Sequence, residues 1–144
     1  MIEQDTVKLL RECDAGVKMG VDSIESVMPY TRSLTLKKHL SECRAQHMEL
    51  QKEIERELEK FGDEGKKPSA MAKGMSHMKT SMKLAMNESD ATIADLMTDG
   101  CDMGVKSLSR YLNQYKAAEE DAKDIAKRLI KIEDQLGTDL RGFL

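Results

Sequence analysis

The stretch Cys-Asp-Ala-Gly-Val-Lys at Cys13–Lys18 recurs 88 residues later as Cys-Asp-Met-Gly-Val-Lys at Cys101–Lys106. Five of the six positions are identical, and the apolar residues that accompany the two copies keep the same spacing. They are Val17, Ile24 and Val27 in the first copy, and Val105, Leu112 and Tyr115 in the second. Because a repeat this long in a chain of 144 residues indicates a duplicated helical hairpin, the sequence predicts an all-α fold of two hairpins packed as a bundle.

Apolar residues at steps of three and four predict four long helices. The first is expected over about residues 4–28, because Pro29 cannot continue a helix. Ser33 or Thr31 is expected to cap the second helix, and Gly62 is expected to end it. The third is expected over about residues 89–115, and the fourth from about residue 118 onward. The apolar seam of the second helix is predicted to be Leu36, Leu40, Cys43, His47, Leu50, Ile54, Leu58 and Phe61.

The chain is predicted to be a single domain over residues 1–144. Hairpin 1 covers residues 4–61, a crossover covers residues 62–88, and hairpin 2 covers residues 89–144. Few residues separate the two helices of each hairpin, so each hairpin is expected to be antiparallel. The crossover is long enough to run along the whole bundle, which predicts an up-down four-helix bundle with one long connection.

Five methionines spaced four, three, four and four residues apart predict a short Met-rich helix within the crossover. They are Met71, Met75, Met78, Met82 and Met86. The favoured interpretation is that this stripe packs the crossover onto the bundle as part of its core. Two alternatives stay open. The stripe could form a surface for a partner protein or a membrane, or its thioethers and His77 could bind copper as Cu(I).

Composition and charge exclude several functional classes. Charged residues make up 34% of the chain and aromatic residues 3%, with a net charge of −3 and interspersed signs, which is typical of long helices and does not indicate a nucleic-acid surface. No apolar run approaches the ~20 residues of a membrane span, and the start of the chain lacks a signal-peptide core. Three cysteines fit a reducing compartment better than a disulfide framework. The sequence therefore predicts a cytoplasmic protein.

The two hairpins, the long crossover and the signatures Glu12-Cys13-x-x-Gly16 and Cys101-x-x-Gly104 resemble the ferritin-like four-helix bundles. Within these, the chain is most similar to a bacterial group defined by a domain of unknown function. The resemblance extends over nearly the whole chain, including the short helix of the crossover. It implies a ferritin-like fold. Many such folds hold a di-iron centre, so the ligands of that centre can be looked for in this sequence.

A ferritin-like di-iron centre takes a Glu from each of two helices and a Glu-x-x-His pair from each of the other two. The carboxylates balance the charge of two iron cations, and the imidazoles complete their coordination. The second helix of this chain has His47, but Arg44 stands three residues before it. The fourth helix has Glu133, but Leu136 stands three residues after it. We therefore expect no bound metal, with His47 and Glu133 as the only surviving candidate ligands.

Without a metal, we expect His47 to be neutral and hydrogen-bonded to Glu133, and Arg44 to bring a positive charge near one lost carboxylate position. The freed space is expected to be filled by Cys13, Val17, Cys43, Cys101, Val105, Ile132 and Leu136. The buried thiols are expected to have a raised pKa and to behave as small apolar groups.

The sequence contains no nucleophile–base pair, phosphate-binding loop or Cys-x-x-Cys motif, so we expect neither enzymatic activity nor a cofactor. The favoured hypothesis is a metal-free ferritin-like structural or protein-interaction module that acts as a homo-oligomer or on a protein partner. The alternative is a residual iron- or copper-binding protein that uses His47 and Glu133. A di-iron oxidoreductase would need ligands that the sequence lacks.

Overall fold

The computed structural model describes residues 2–68, 80, 81, 83–85 and 87–144, and this part of the chain contains helices and no strand. The four long helices are α1 (Ile2–Val27), α2 (Leu34–Glu59), α3 (Asp90–Gln114) and α4 (Glu120–Leu140). Short 3-10 turns follow α1 at Met28–Tyr30 and α4 at Arg141–Phe143. The predicted all-α class is confirmed. Within the described ranges, no helix combines the length and the apolar character needed to cross a membrane.

Local sequence signals fix the ends of the helices. The Oγ of Ser33 accepts a hydrogen bond from the backbone N–H of Leu36 at 3.2 Å, so Ser33 rather than Thr31 caps α2. Ser89 caps α3 in the same way. The helix α2 ends shortly before Gly62, whose φ of +65° lies in the left-handed region that glycine adopts without strain.

The loop of each hairpin is held by the first turn of a helix from the other hairpin. Both carboxylate oxygens of Asp90, the first residue of α3, accept hydrogen bonds from the backbone N–H groups of Arg32 and Ser33, at 2.8 and 2.9 Å. Asp5 of α1 accepts the backbone N–H of Ala117 at 3.0 Å, in the loop before α4. The helix α3 therefore begins at the end of the helices where α1 ends and α2 begins.

The helices differ in how many neighbours they contact. Each hairpin packs internally, α1 against α2 and α3 against α4, and the hairpins meet through α2 with α4 and through α1 with α3. The helices α1 and α4 also contact each other across the short diagonal of the assembly, whereas α2 and α3 stand on its long diagonal. As a result, α1 and α4 pack against each other at the centre, in addition to their contacts with the neighbouring helices.

The buried apolar residues form two clusters, one toward each end of the helices. The first cluster contains Leu9, Leu10, Cys13, Val17, Leu50, Ile54, Leu58, Leu108, Ala118, Ala122, Ile125, Ala126 and Leu129. The second contains Ile24, Val27, Leu36, Leu40, Cys43, Leu84, Ile93, Ala94, Met97, Cys101, Leu136 and Leu140. The predicted seam of α2 is confirmed from Leu36 to Leu58, with Phe61 packed at its edge.

The predicted methionine stripe, Met71, Met75, Met78, Met82 and Met86, lies outside the described residues, as does His77. Its interpretation therefore stays a prediction. Nearby, residues 80, 81 and 83–85 are helical, and Leu84 is buried against the second cluster. Lys83 forms an ion pair with Asp95 of α3 at 3.0 Å. These contacts attach the end of the crossover to hairpin 2.

Candidate functional site

A polar layer separates the two apolar clusters at the middle of the helices. Each helix contributes one residue to this central layer: Gly20 from α1, His47 from α2, Gly104 from α3 and Glu133 from α4. Only 1% of His47 and 9% of Glu133 are exposed. The layer brings together the two residues that the sequence singled out as candidate ligands.

Both ring nitrogens of His47 have partners. The Nδ1 atom lies 2.8 Å from the backbone oxygen of Cys43, one turn earlier in α2, and Nε2 lies 2.8 Å from Oε1 of Glu133. A carbonyl oxygen only accepts hydrogen bonds, so Nδ1 carries a proton and donates it. An ionised carboxylate of Glu133 also only accepts, and in that state the contact requires a second proton on Nε2. The predicted hydrogen bond between His47 and Glu133 is confirmed.

The charge of His47 differs from the expectation. Burial on its own lowers the pKa of His47, but hydrogen bonds with the side chains of Cys43 and Glu133, together with the charge of Glu133, outweigh burial and raise the pKa to about 10. At neutral pH the central layer therefore holds a buried imidazolium–carboxylate ion pair, and the prediction of a neutral His47 is wrong. Burial alone favours the neutral ring, whereas the two acceptors that face its nitrogens stabilise the charged form.

The expected apolar filling of the centre is correct only beside the central layer. Cys13 and Val17 are buried in the first cluster, and Cys43, Cys101 and Leu136 in the second. Ile132 is partly buried between the clusters, and Val105 is half-buried. The middle itself is polar, because the ion pair occupies it.

The two glycines of the central layer differ in the space around them. A Cβ atom on Gly20 would lie 2.6 Å from Nε2 and 2.7 Å from Cδ2 of His47, well inside van der Waals contact. A Cβ atom on Gly104 would lie 3.5 Å from Cδ and Oε2 of Glu133, which is an ordinary contact. Because the ring of His47 is held on both sides by hydrogen bonds, Gly20 is required for α1 to approach it.

Two thiols border the ion pair. The Sγ atom of Cys43 lies 3.5 Å from Nδ1 of His47, and the buried thiol of Cys101 interacts with the charge of Glu133. Burial and the charge of Glu133 raise the pKa of Cys101 well above its usual value. Burial also raises the pKa of Cys13 to about 12. These two thiols are therefore protonated at neutral pH, as predicted.

Arg44 does not bring its charge into the centre. Its guanidinium Nη2 lies 2.7 Å from Oε1 of Glu25 on α1, and 40% of the arginine side chain and 49% of the glutamate side chain are exposed. The expectation that Arg44 places a positive charge near a lost carboxylate position is therefore wrong. The side chain is long enough to leave the interface between α1 and α2 and pair at the surface.

The residues of the central layer do not fit a di-iron centre. They supply one carboxylate and one imidazole, and these two groups already bind each other. The imidazole nitrogen that faces away from Glu133 is occupied by a backbone carbonyl. Across the described part of the chain, no group of three or more His, Cys, Asp or Glu side chains is arranged to hold a metal ion.

The repeat motif forms a second polar site that the sequence argument missed. Asp14 is 1% exposed, and its Oδ2 accepts hydrogen bonds from Nζ of Lys18 at 2.6 Å and from the backbone N–H of Lys66 at 3.0 Å. The connector after α2 thus folds back onto α1, where Nζ of Lys66 also pairs with Glu12 at 2.6 Å. The Asp-x-x-x-Lys spacing in both copies of the repeat was the available signal.

An exposed ion pair joins the same two helices as the central pair. Arg128 of α4 donates from Nη1 to Oε2 of Glu53 on α2 at 2.9 Å, and from Nε to Oδ2 of Asp124 at 2.9 Å. It borders an open groove of about 360 Å³ between α2 and α4, at whose base Leu50 and Ile132 lie. The helices α2 and α4 are therefore linked by charge both at their centre and at their surface.

Comparison of the chain with protein-family models, with curated proteins and with solved structures gave no match.

Proposed function

We propose that the protein is a ferritin-like four-helix bundle built by duplication of a helical hairpin. The reciprocal attachment of the two loops, by Asp90 and by Asp5, supports this arrangement. The helices α1 and α3 begin 88 residues apart, at Ile2 and Asp90, which is the offset of the repeated motif. Buried positions also correspond at this offset, as in Cys13 and Cys101. The second and fourth helices correspond at 89 residues, as in Leu40 and Leu129.

The function that fits this geometry best is that of a metal-free structural or protein-interaction module. The observation that carries it is the closed pair of His47 and Glu133, in which each candidate ligand is the partner of the other. A metal at this position would have to break a buried, charge-assisted hydrogen bond, and it would find one carboxylate to balance its charge. In this proposal the protein has the helix arrangement of a ferritin-like bundle but lacks the ligands of a di-iron centre.

Elemental analysis of protein purified without a chelator tests the proposal. We expect iron, manganese, zinc and copper well below one atom per chain. His39→Ala is a matched control, because His39 lies on the same helix at the surface, where it pairs with Asp139. Stoichiometric metal that is lost in His47→Ala and kept in His39→Ala would overturn the proposal and establish the metal-binding alternative, with His47 and Glu133 as ligands.

The interaction role rests on exposed apolar side chains. Leu34 at the start of α2 is 81% exposed, and Met103, in the second copy of the motif, is 69% exposed. Such side chains are used in contacts between copies of a chain or with a partner protein. We propose that the module works in the cytoplasm as a homo-oligomer or on a protein partner. Sedimentation of Met103→Lys and Leu34→Lys tests this. A monomeric mass for the wild type and for both variants, with no captured partner, would contradict it.

A further inference from the structure

The central ion pair joins two hairpins that resemble each other, and this resemblance creates an assembly problem. By the duplication proposed above, the apolar surface through which each hairpin packs on the other would also be able to pack on a second copy of itself. Two chains could then assemble hairpin 1 with hairpin 1, as in domain-swapped proteins. Among the described contacts, α2 and α4 meet through His47 and Glu133 at the centre of this surface.

We propose that the pair of His47 and Glu133 selects the pairing of hairpin 1 with hairpin 2 and opposes the pairing of either hairpin with a second copy of itself. The inference rests on the duplication proposed above. At the offset of 89 residues that relates α2 to α4, Glu133 corresponds to Arg44, and His47 corresponds to Leu136. This offset therefore identifies the residue that would face each charge if a hairpin paired with a second copy of itself.

In an assembly of two hairpins 1, the residue facing His47 would be Arg44 of the other copy, whose guanidinium pairs with Glu25 at the surface, so the imidazolium would lose its carboxylate and gain no other anion. In an assembly of two hairpins 2, Glu133 would face Leu136, which would leave a buried carboxylate without a partner. Both arrangements bury charge without compensation, whereas the pairing of hairpin 1 with hairpin 2 satisfies both charges. Single buried polar residues are known to select partner and register in helical assemblies by this means.

A refolding experiment on the full chain tests the proposal. Unlabelled and isotope-labelled chains are unfolded in urea, mixed, refolded in the presence of a chelator and treated with an amine crosslinker. The quantity measured is the yield of crosslinks that join α2 of an unlabelled chain to α2 of a labelled chain, for example through Lys52. In the double variant His47→Leu/Glu133→Leu, which removes both charges, this yield is expected to rise about tenfold over the wild type.

Two further variants separate charge selection from simple loss of stability. Leu50→Ala, in the first cluster of α2, weakens the core but keeps the ion pair, so its crosslink yield should stay at the wild-type level. Arg44→Glu leaves the native pair of His47 and Glu133 intact and places a carboxylate opposite His47 in a hairpin 1–hairpin 1 assembly, so its yield should rise. If circular dichroism shows that the double variant does not fold, Arg44→Glu decides the question.

The proposal is overturned if a folded double variant gives no more α2–α2 crosslinks than the wild type, or if Leu50→Ala raises them equally. If the double variant does not fold, the proposal is also overturned when Arg44→Glu gives no increase in the yield of α2–α2 crosslinks. Because refolding takes place with a chelator, the discovery of a bound metal in the native protein would reject the proposed function without changing this measurement.

Discussion

Hairpin 1 and hairpin 2 contribute opposite charges to the middle of the molecule. Hairpin 1 supplies His47, and its residue at the position corresponding to Glu133 is Arg44, which leaves the interior for the surface. Hairpin 2 supplies Glu133, and its residue at the position corresponding to His47 is the buried Leu136. Each half lacks the charged partner that the other half provides. The difference teaches that the two hairpins depend on each other in the central layer, because each supplies one member of the buried pair.

The repeated motif shows the same divergence at a second site. Asp14 in the first copy is buried under the connector and accepts the backbone N–H of Lys66. Asp102 in the second copy is exposed. The same two residue types, Asp and Lys four positions apart, therefore hold a loop on α1 and face solvent on α3. Each pair of corresponding positions provides a variant and its matched control.

Glu133→Leu should give the largest loss of stability. It leaves the imidazolium of His47 buried without its partner, which is expected to lower the free energy of unfolding by about 3–5 kcal/mol. The double variant His47→Leu/Glu133→Leu should recover most of this loss, because both charges are gone. Urea denaturation of the two variants measures the difference. A double variant as unstable as the single one would show that the loss of stability comes from poor packing of leucine in the central layer and not from the unpaired charge of His47.

Gly20→Ala should cost less, about 1–3 kcal/mol, because its Cβ would collide with the imidazole of His47. Gly104→Ala is the matched control in the same layer. Its Cβ would meet Glu133 at ordinary contact distance, and alanine favours the helix by up to about 1 kcal/mol, so this variant should be neutral or more stable. Thermal unfolding of both variants tests this. Equal effects at the two positions would contradict the asymmetry of the central layer.

Asp14→Ala should lower the free energy of unfolding by about 1–2 kcal/mol, because it removes the buried acceptor of Lys18 and of the Lys66 N–H. Asp102→Ala, at the corresponding exposed position, should change it by less than about 0.5 kcal/mol. Trypsin should also cleave Asp14→Ala faster at Lys66, since the connector loses its attachment to α1. Unchanged cleavage would show that Glu12 alone holds the connector.

Arg44→Ala should have the smallest effect. It removes an ion pair with Glu25 that is largely exposed and screened by solvent, so the free energy of unfolding should fall by about 0–1 kcal/mol. The comparison with Glu133→Leu isolates the contribution of burial, because both substitutions remove one member of an ion pair that involves α2. A loss in Arg44→Ala as large as in Glu133→Leu would mean that Arg44 acts inside the helices.

The sequence predicted those features that depend on local spacing. The four helices follow from periodicity along the chain, and Ser33 was one of two candidate caps of α2. The contact between His47 and Glu133 was expected from the resemblance to ferritin-like bundles. The charge of His47 could not be predicted, because it depends on the side chains of Cys43 and Glu133 acting together in space. The burial of Asp14 could not be predicted either, because it depends on the path of the connector after α2.

Nuclear magnetic resonance of the His47 side chain tests the account most directly. The central claim is that His47 and Glu133 form a charged pair, in which both ring nitrogens carry protons. An unperturbed histidine loses its proton near pH 6.5, whereas the pKa of His47 is raised to about 10. The account predicts that both ring nitrogens remain protonated at pH 8 in the wild type, and that Glu133→Gln lowers this pKa. A neutral His47 at pH 8 in the wild type would contradict it.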